Sequence, residues 1–241
     1  MILITLYTGT PGSGKSLHTI SVILKVLGWG RQVISNFPIT FTDKEIKKGY
    51  NQRFFYWSNE EITIENLILH ALDNGFFENM KESQCLVVID EAGGRFNCRD
   101  FGKSDRREWI DFFSQHRKVG YDFILVAQND RMLDRQIRGY VETEKKHRKI
   151  NNFGPFWMLP FPVFISIENW YVAKQKVGSE FFRFRKKIAN RYDSMRMFSG
   201  FTLSPELVQK IENRRLGNKE DIPDGVETSI DAIFIEETEK E

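Results

Sequence analysis

The chain has 241 residues, of which 41% are hydrophobic and 28% charged, and its net charge at pH 7 is +2. This length suits one large α/β domain, or one domain with an appendage, and so small a net charge indicates no class of partner. Cys85 and Cys98 form neither a metal-binding pattern nor a disulfide framework, which favours a reducing compartment. The N-terminus lacks the charged region of a signal peptide, and the most apolar segment, residues 156–167, is too short to cross a bilayer. Neither a signal peptide nor a transmembrane helix is therefore predicted.

The first predicted elements are a strand, a glycine-rich loop and a helix. Residues 1–7 read as a short buried strand, and residues 17–28 have the spacing of an amphipathic helix. Between them, residues 9–16 fit G-x-x-x-x-G-K-[ST], the P-loop, whose backbone N–H groups converge on phosphate oxygens at the start of a helix. Lys15 then reaches the β- and γ-phosphates, and the Ser16 hydroxyl ligates Mg²⁺. The predicted nucleotide-binding residues are Gly9, Thr10, Pro11, Gly12, Ser13, Gly14, Lys15, Ser16 and Leu17.

The next part of the chain alternates between strand and helix patterns. Continuous apolar runs predict buried strands, and apolar residues at helical spacing predict helices. The predicted order is a strand at 32–36, irregular structure at 43–63, a helix at 64–77, a strand at 85–89, a helix at 106–119 and a strand at 123–127. This alternation predicts an α/β fold of the P-loop NTPase type, with three α/β/α layers and a mostly parallel central sheet.

Beyond about residue 140 the pattern changes to a C-terminal β-hairpin extension. Residues 163–176 and 180–184 are predicted strands that meet at 177–179. The predicted domains are a P-loop ATPase core at 1–150, a β-rich basic extension packed on it at 151–200, and a tail at 201–241. The tail is predicted to be helical at 205–215 and then acidic and poorly ordered.

Charge is unevenly placed in this second half. Residues 174–196 carry eight Lys or Arg against two acids, whereas residues 219–241 carry nine Asp or Glu against two lysines. Aromatic residues interleave with the basic ones, so this stretch is suited to line a channel for single-stranded DNA. It is equally suited to meet anionic lipid or acidic protein segments, and a solvated basic face over a small aromatic core remains an alternative.

Two predicted strands end in residues suited to hydrolysis of a nucleotide. The strand at 85–89 runs into Asp90 and Glu91, the Walker B pattern, in which Asp90 holds Mg²⁺ through water and Glu91 orients and deprotonates the attacking water. The strand at 123–127 runs into Gln128, which is placed to contact the γ-phosphate or that water. The catalytic prediction is thus Lys15, Glu91 and Gln128, with Ser16 and Asp90 as metal ligands. For Gln128 alone, a surface glutamine is the alternative.

An ATPase of this kind completes its site with an arginine from a neighbouring subunit. Arg117 is the first choice, because it lies at the end of the predicted helix that leads into the strand of Gln128. The alternative for each candidate is a solvated helix charge. The other candidates are Arg106, Arg107, Arg131, Arg135 and Arg138.

A GTPase motif set can also be found in the sequence. Residues 90–93 spell D-x-x-G and residues 218–221 spell N-K-x-D. A guanine-reading N-K-x-D should follow a buried strand of the core, whereas this one lies in the polar, acidic C-terminal part. ATP is therefore the predicted nucleotide, and guanine specificity a minor alternative.

Several blocks resemble the zonular occludens toxin (Zot) family, which includes the assembly ATPase of filamentous phages. The first covers residues 86–100, where Gly-x-x-Phe-Asn-x-Arg follows Walker B, and another at 116–122 reads His-Arg-Lys-x-Gly-x-Asp. Both are more specific than the P-loop, and the likeness covers roughly residues 1–200. Further blocks lie at 109–113, 126–128, 134–138 and 190–193.

The resemblance implies an ATPase motor at the cytoplasmic face of the host bacterial inner membrane. Members of this family look like inner-membrane ATPases with a cytoplasmic N-terminal domain, a single transmembrane helix and an outer domain. The transmembrane helix is missing from this chain. Implied partners are further copies of the chain in a ring, phage coat protein and other membrane assembly proteins, with single-stranded DNA as a further candidate. The implied cofactors are ATP and Mg²⁺, and the catalytic set carried over by position is Lys15, Ser16, Asp90, Glu91 and Gln128. Two alternatives remain, namely a translocase or helicase acting on single-stranded DNA and a nucleotide-gated scaffold that does not hydrolyse ATP.

Overall fold

The structure is a computed structural model that describes residues 3–79, 81–97, 105–151, 154 and 158–192. All of these residues fall within one compact unit, Met1–Ser194. The predicted helix at 205–215 and the predicted acidic tail lie outside the described residues. The prediction of domain boundaries at 150 and 200 stays a prediction.

Strands and helices alternate through the first two thirds of the described chain. The strands are β1 (Ile4–Thr8), β2 (Gln32–Ser35), β3 (Phe54–Tyr56), β4 (Cys85–Ile89), β5 (Tyr121–Val126), β6 (Thr143–Lys149), β7 (Val163–Trp170) and β8 (Lys176–Arg183). The helices are α1 (Lys15–Gly28), α2 (Asp43–Ile46), α3 (Tyr50–Arg53), α4 (Ile64–Asp73), α5 (Phe76–Asn79), α6 (Ala92–Arg95), α7 (Asp105–Gln115), α8 (Arg135–Arg138) and α9 (Lys186–Ala189).

The described strands form one sheet in the order β3-β2-β4-β5-β1-β6-β7-β8. From β3 to β6 every neighbouring pair is parallel, and β7 and β8 then add in antiparallel pairing. Because β1, β4 and β5 are neighbours or nearly so, the loops after these strands meet at one carboxyl edge. The predicted mostly parallel α/β sheet with a β-hairpin extension is confirmed.

Apolar residues alternate between the two faces of the sheet and build two clusters. On one face Ile20, Ile23 and Leu27 of α1 pack against Tyr7 and Val88. On the other face α4 and α7 supply the residues that bury the opposite sides of the same strands. All residues of β1, β4 and β5 are buried, as expected for strands covered by helices on both faces.

Two regions differ from the sequence prediction. Residues 43–63, predicted irregular, contain the short elements α2, α3 and β3. These elements have three or four residues each, so no periodicity could develop. Strand β6, with the sequence TEKKHRK, was not predicted because it has no apolar residue; pairing with both β1 and β7 makes it a strand.

The predicted hairpin is present, but its turn was placed wrongly. The structure ends β7 at Trp170 and begins β8 at Lys176, so the turn comes before 177–179. Tyr171 and Val172 were predicted to continue the strand because they are apolar. Instead the Tyr171 hydroxyl donates to the Asp130 carboxylate at 3.0 Å, and Lys174 adopts a positive φ of 55° that ends the strand geometry.

Candidate nucleotide-binding site

The P-loop joins β1 to α1 at the carboxyl edge of the sheet. Its backbone turns through positive φ at Gly9 (144°), Gly12 (73°) and Gly14 (91°). A Cβ at Gly9 would lie 2.5 Å from the carbonyl oxygen of His147, and a Cβ at Gly14 would lie 2.8 Å from the ring of Phe164. Glycine is therefore required at Gly9 and Gly14 by backbone conformation and by close approach together.

The start of α1 has the properties of a phosphate site. Gly14 precedes the helix in the left-handed conformation, no side chain caps the helix, and its first turn holds no acidic residue. The N–H groups of this turn are not involved in intrahelical bonds, and the helix dipole favours an anion here. The predicted binding residues 9–17 are this loop and the beginning of this helix.

Lys15 folds back over the P-loop. Its Nζ donates to the carbonyl oxygens of Gly9 at 2.6 Å and Thr10 at 3.2 Å. Burial lowers the pKa of Lys15, while the negative charges of Asp90 and Glu91 raise it. The structure thus brings the P-loop ammonium and the two predicted carboxylates within electrostatic reach of each other.

Asp90 follows β4 in a largely buried position. Burial raises the pKa of its carboxyl, and hydrogen bonds from the Glu91 N–H at 2.9 Å and the Tyr192 hydroxyl at 3.1 Å lower it. Lys15 also lowers this pKa by its charge. These bonds fix the carboxylate at the carboxyl edge of the sheet.

Asn36, just beyond β2, was missed by sequence reasoning. Its side-chain amide donates to the Asp90 carbonyl oxygen, its Oδ1 accepts from the Asp90 N–H, and both distances are 2.8 Å. The same amide also donates to Asn59 at 2.8 Å. A polar residue directly after a buried strand was the signal that could have identified Asn36.

Glu91 and Gln128 both have exposed side chains at this edge. Glu91 adopts φ 51° and ψ 39°, a left-handed conformation that is unfavourable for a residue with a Cβ, and α6 begins directly after it. Gln128 follows β5, and its carbonyl oxygen accepts from the Gly9 N–H at 3.3 Å. The strand carrying the predicted sensor is thereby tied to the first residue of the P-loop.

Ser16 and Asp90 provide a hydroxyl and a carboxylate next to the phosphate loop. Mg²⁺ prefers hard oxygen donors, and in nucleotide sites it uses one or two protein oxygens while phosphate oxygens and waters complete an octahedron. The negative charge of Asp90 raises the pKa of Lys15, so the carboxylate and the loop lysine interact electrostatically. The donor chemistry of these two residues therefore fits Mg²⁺.

Two clefts adjoin the P-loop. The basic cleft, about 760 Å³, is lined by residues 8–13 of the loop region, by 128–130, and by Glu144 and residues 146–149 of β6. The aromatic cleft, about 360 Å³, is lined by residues 12–17 and 20, by Lys149, and by Pro162, Phe164, Phe184, Ala189 and Tyr192. Sequence reasoning missed the contribution of β6 to both clefts.

Glu144 is a buried carboxylate within the basic cleft, with 3% of its surface exposed. It accepts a hydrogen bond from the Thr8 hydroxyl at 2.9 Å and pairs with Lys146 at 3.4 Å. Thr8 is the last residue of β1, directly before the P-loop. A buried, paired acid therefore supports the strand end from which the loop departs.

A pair of buried histidines lies behind the P-loop. His18 Nδ1 of α1 and His147 Nε2 of β6 are 2.7 Å apart, and His147 Nδ1 lies 3.3 Å from the Thr8 carbonyl oxygen. Burial lowers the pKa of His18 to about 3 and that of His147 to about 4, so both rings are neutral at pH 7. His18 Nε2 also lies 3.6 Å from a carboxylate oxygen of Glu180 in β8.

The predicted arginine, Arg117, lies at the other edge of the sheet. It follows α7 and pairs with Glu142 at 2.8 Å, and the Glu142 N–H donates to the Ile4 carbonyl oxygen at the amino end of β1. Arg117 is therefore not near the P-loop of its own chain. Arg131, by contrast, is exposed in a 3₁₀ turn just after β5, at the carboxyl edge.

Comparisons with known proteins extend these observations. The model of the family described as "Zonular occludens toxin (Zot)" matches residues 3–197. The "Gene 1 protein" of Enterobacteria phage I2-2 is 30% identical over 132 residues, and that of Enterobacteria phage M13 is 26% identical over the same length. These matches cover 54% of this chain and 36% and 37% of the relatives, so they span little more than a third of each relative's length.

Solved structures align with this chain at lower identity. A structure described as an "ATPase Domain" aligns with a TM-score of 0.51 and 8% identity over 79% of this chain and 84% of that one, which shows the fold. The N-terminal domain of zonular occludens toxin from Neisseria meningitidis aligns with a TM-score of 0.47 and 22% identity over 80% of this chain and 100% of that one.

Within the described ranges, no helix combines the length and the apolar character needed to span a membrane. The parallel sheet, the P-loop between β1 and α1, and the acidic end of β4 are those of a P-loop NTPase. With a family match over residues 3–197, this chain belongs to the zonular occludens toxin family.

Proposed function

We propose that this chain is a Mg²⁺-dependent ATPase that drives assembly of filamentous phage and its extrusion through the host inner membrane. One observation carries the proposal: the P-loop, the carboxylates after β4 and the glutamine after β5 meet at one edge of the sheet. Membership of the Zot family and similarity to the Gene 1 proteins of filamentous phages support the biological part. The site is proposed to lie at the cytoplasmic face of that membrane.

The P-loop supplies binding and charge neutralisation. Backbone N–H groups of residues 14–17, at the beginning of α1, donate to the phosphate oxygens, and Lys15 adds a positive charge that burial has already partly removed from water. Ser16 and Asp90 would hold Mg²⁺, which would neutralise negative charge on the phosphates. The chain then needs only to position and activate a water.

Glu91 and Gln128 position that water in the proposed mechanism. Glu91 is exposed and held in a left-handed conformation directly after β4. It accepts the proton of the attacking water, while the Gln128 amide orients the water against the γ-phosphate. The bond between Gln128 and Gly9 keeps Gln128 in register with the loop.

An arginine from a second subunit completes the site in this proposal, so the active form is a homo-oligomer, which we propose is a ring. Phage coat protein and other membrane assembly proteins are the proposed partners. Arg117 retains the role only if the neighbouring subunit presents its amino edge to the P-loop. This arrangement makes activity per subunit depend on assembly.

The test pairs ATP hydrolysis with phage release. Lys15→Ala and Glu91→Gln should each lower Mg²⁺-dependent hydrolysis by about 10² or more and abolish release of phage from cells. Lys44→Ala and Glu82→Gln change exposed residues of the same types and serve as matched controls. Normal phage release from cells that carry a variant without ATPase activity would contradict the motor.

A second candidate is an ATPase that translocates along single-stranded DNA. The observation that favours it is the exposed surface of β8 and α9, where Arg183, Lys186 and Lys187 alternate with Phe181 and Phe184. Stimulation of hydrolysis by single-stranded DNA, falling steeply with salt, would support this function. Tight ATP binding without turnover by the assembled protein would instead indicate a nucleotide-gated scaffold.

A further inference from the structure

The two clefts beside the P-loop differ in chemistry. The basic cleft meets the beginning of the loop and is lined by Lys146, Arg148 and Lys149 together with the buried Glu144. The aromatic cleft meets the end of the loop and the first turn of α1, and is lined by three aromatic rings. A nucleoside triphosphate has the same asymmetry, because its charged γ end and its flat base lie at opposite ends.

We propose that the aromatic cleft binds the nucleoside of the triphosphate, with Phe184 as the residue that stacks on the base. The proposal rests on the proposed function, since the phosphates must first lie in the P-loop. The cleft includes Ser16 and Leu17, so a nucleoside that leaves the phosphates at the start of α1 enters it directly. Its volume of about 360 Å³ is within the range of small-molecule sites.

Two of the three aromatic rings are already fixed by other contacts. Phe164 is buried, packs against Gly14 and stacks on Phe182 with ring centroids 5.4 Å apart. Tyr192 donates its hydroxyl to Asp90 and contacts the Phe37 ring edge-on at 4.7 Å. These rings form walls that are set before a ligand arrives.

Phe184 differs because 42% of its surface is exposed. Its backbone is nevertheless held, since the Phe184 N–H donates to the Pro162 carbonyl oxygen at 2.8 Å. An exposed ring on a fixed backbone beside a phosphate loop can gain apolar burial and π-stacking from a nucleobase. The residue comes from the β-hairpin extension, so the extension supplies part of the nucleotide site.

The residues that line the aromatic cleft also determine its selectivity among bases. No carboxylate or side-chain amide is found among the described residues that line the aromatic cleft, so neither of these acceptors is available there to the N–H groups of guanine. Among these described lining residues, Lys15 and Lys149 are the two with charged side chains. Stacking is tolerant of base identity, so ATP and GTP should bind with affinities that differ by less than about tenfold.

The experiment compares ATP with tripolyphosphate, which has the phosphates without the nucleoside. Binding of each to the full chain with Mg²⁺ is measured by isothermal titration calorimetry. Phe184→Ala should weaken ATP binding by about tenfold or more and leave tripolyphosphate binding unchanged, and Phe184→Tyr should restore ATP binding. Phe181→Ala, which changes an exposed ring of β8 outside this cleft, is the matched control.

The outcomes separate this proposal from the proposed function. Lys15→Ala should weaken both ligands, and if it weakens neither, the proposed nucleotide site itself is wrong. If Lys15→Ala acts as expected while Phe184→Ala leaves ATP binding unchanged, the base-stacking role is overturned and the P-loop site stands. Equal weakening of ATP and tripolyphosphate by Phe184→Ala would also overturn it, because the effect would then be structural.

Discussion

Replacing Gly14 by alanine tests the packing of the hairpin extension against the P-loop. Gly14 has φ 91°, so alanine there adopts a conformation that costs about 1–2 kcal/mol. Its Cβ would also lie 2.8 Å from the Phe164 ring, which is buried and cannot turn away freely. Overpacking of this kind costs about 1–3 kcal/mol. The expected loss of unfolding free energy for Gly14→Ala is therefore about 2–5 kcal/mol.

Gly12→Ala is the matched control for that prediction. Gly12 also has a positive φ, 73°, but a Cβ there meets no atom within 4 Å. Gly12→Ala should therefore lower the free energy of unfolding only through the strained backbone conformation, by about 1–2 kcal/mol. Urea denaturation of both variants measures the difference, which isolates the contact with Phe164.

Phe164→Leu provides the second half of a double-mutant cycle. A smaller side chain should remove the steric part of the Gly14→Ala cost but not the backbone part, so the double variant should be about 1–3 kcal/mol more stable than additivity predicts. Equal destabilisation by Gly12→Ala and Gly14→Ala, or strict additivity of Gly14→Ala with Phe164→Leu, would refute the reasoning.

Three further predictions concern groups near the P-loop and the far edge of the sheet. Because burial lowers the pKa values of His18 and His147 to about 3 and about 4, the unfolded chain binds more protons below about pH 6.5. Each histidine should therefore remove about 2 kcal/mol of stability between pH 7 and pH 5, about 4 kcal/mol together, as measured by urea titrations. The loss should be smaller in His18→Gln, and a midpoint that does not depend on pH would contradict this prediction. Thr8→Val removes the hydroxyl donor that lies 2.9 Å from the buried Glu144 carboxylate. It should lower the free energy of unfolding, measured by urea denaturation, by about 1–3 kcal/mol, and an unchanged midpoint would show that the bond is dispensable. Arg117→Ala loses only an exposed ion pair, so the Tm should shift by less than about 3 °C. If Arg117 acts in trans, the ATPase activity per subunit of this variant should no longer rise with protein concentration.

Sequence reasoning reached the centre of the site because those residues have local signatures. The P-loop spacing and the carboxylates after the apolar run at β4 depend on neighbours in sequence, and their strands proved to be nearly adjacent in the sheet. Lys15, Asp90 and Glu91 therefore come together as the spacing predicted. The roles of Gln128 and Arg117 stay predictions.

The residues that pack around the P-loop could not be predicted, because their positions depend on contacts between distant parts of the chain. Strand β6 has no apolar residue, so its hydrophobic pattern gave no indication that Glu144 and His147 would be buried. The contact of Phe164 with Gly14 joins residues 150 positions apart, and nothing local indicates it. Such pairings are decided by the sheet order, which the pattern of apolar residues does not specify.

The sheet order has a consequence for biosynthesis. The P-loop is made before the elements on which it packs, because its glycines contact the β6 backbone at His147 and the Phe164 ring of β7. At the usual elongation rates the roughly 150 intervening residues take about 10–30 s to be made. The nascent chain therefore lacks these packing contacts of the phosphate loop during that interval. We expect the loop to reach its folded conformation only after β7 has been made.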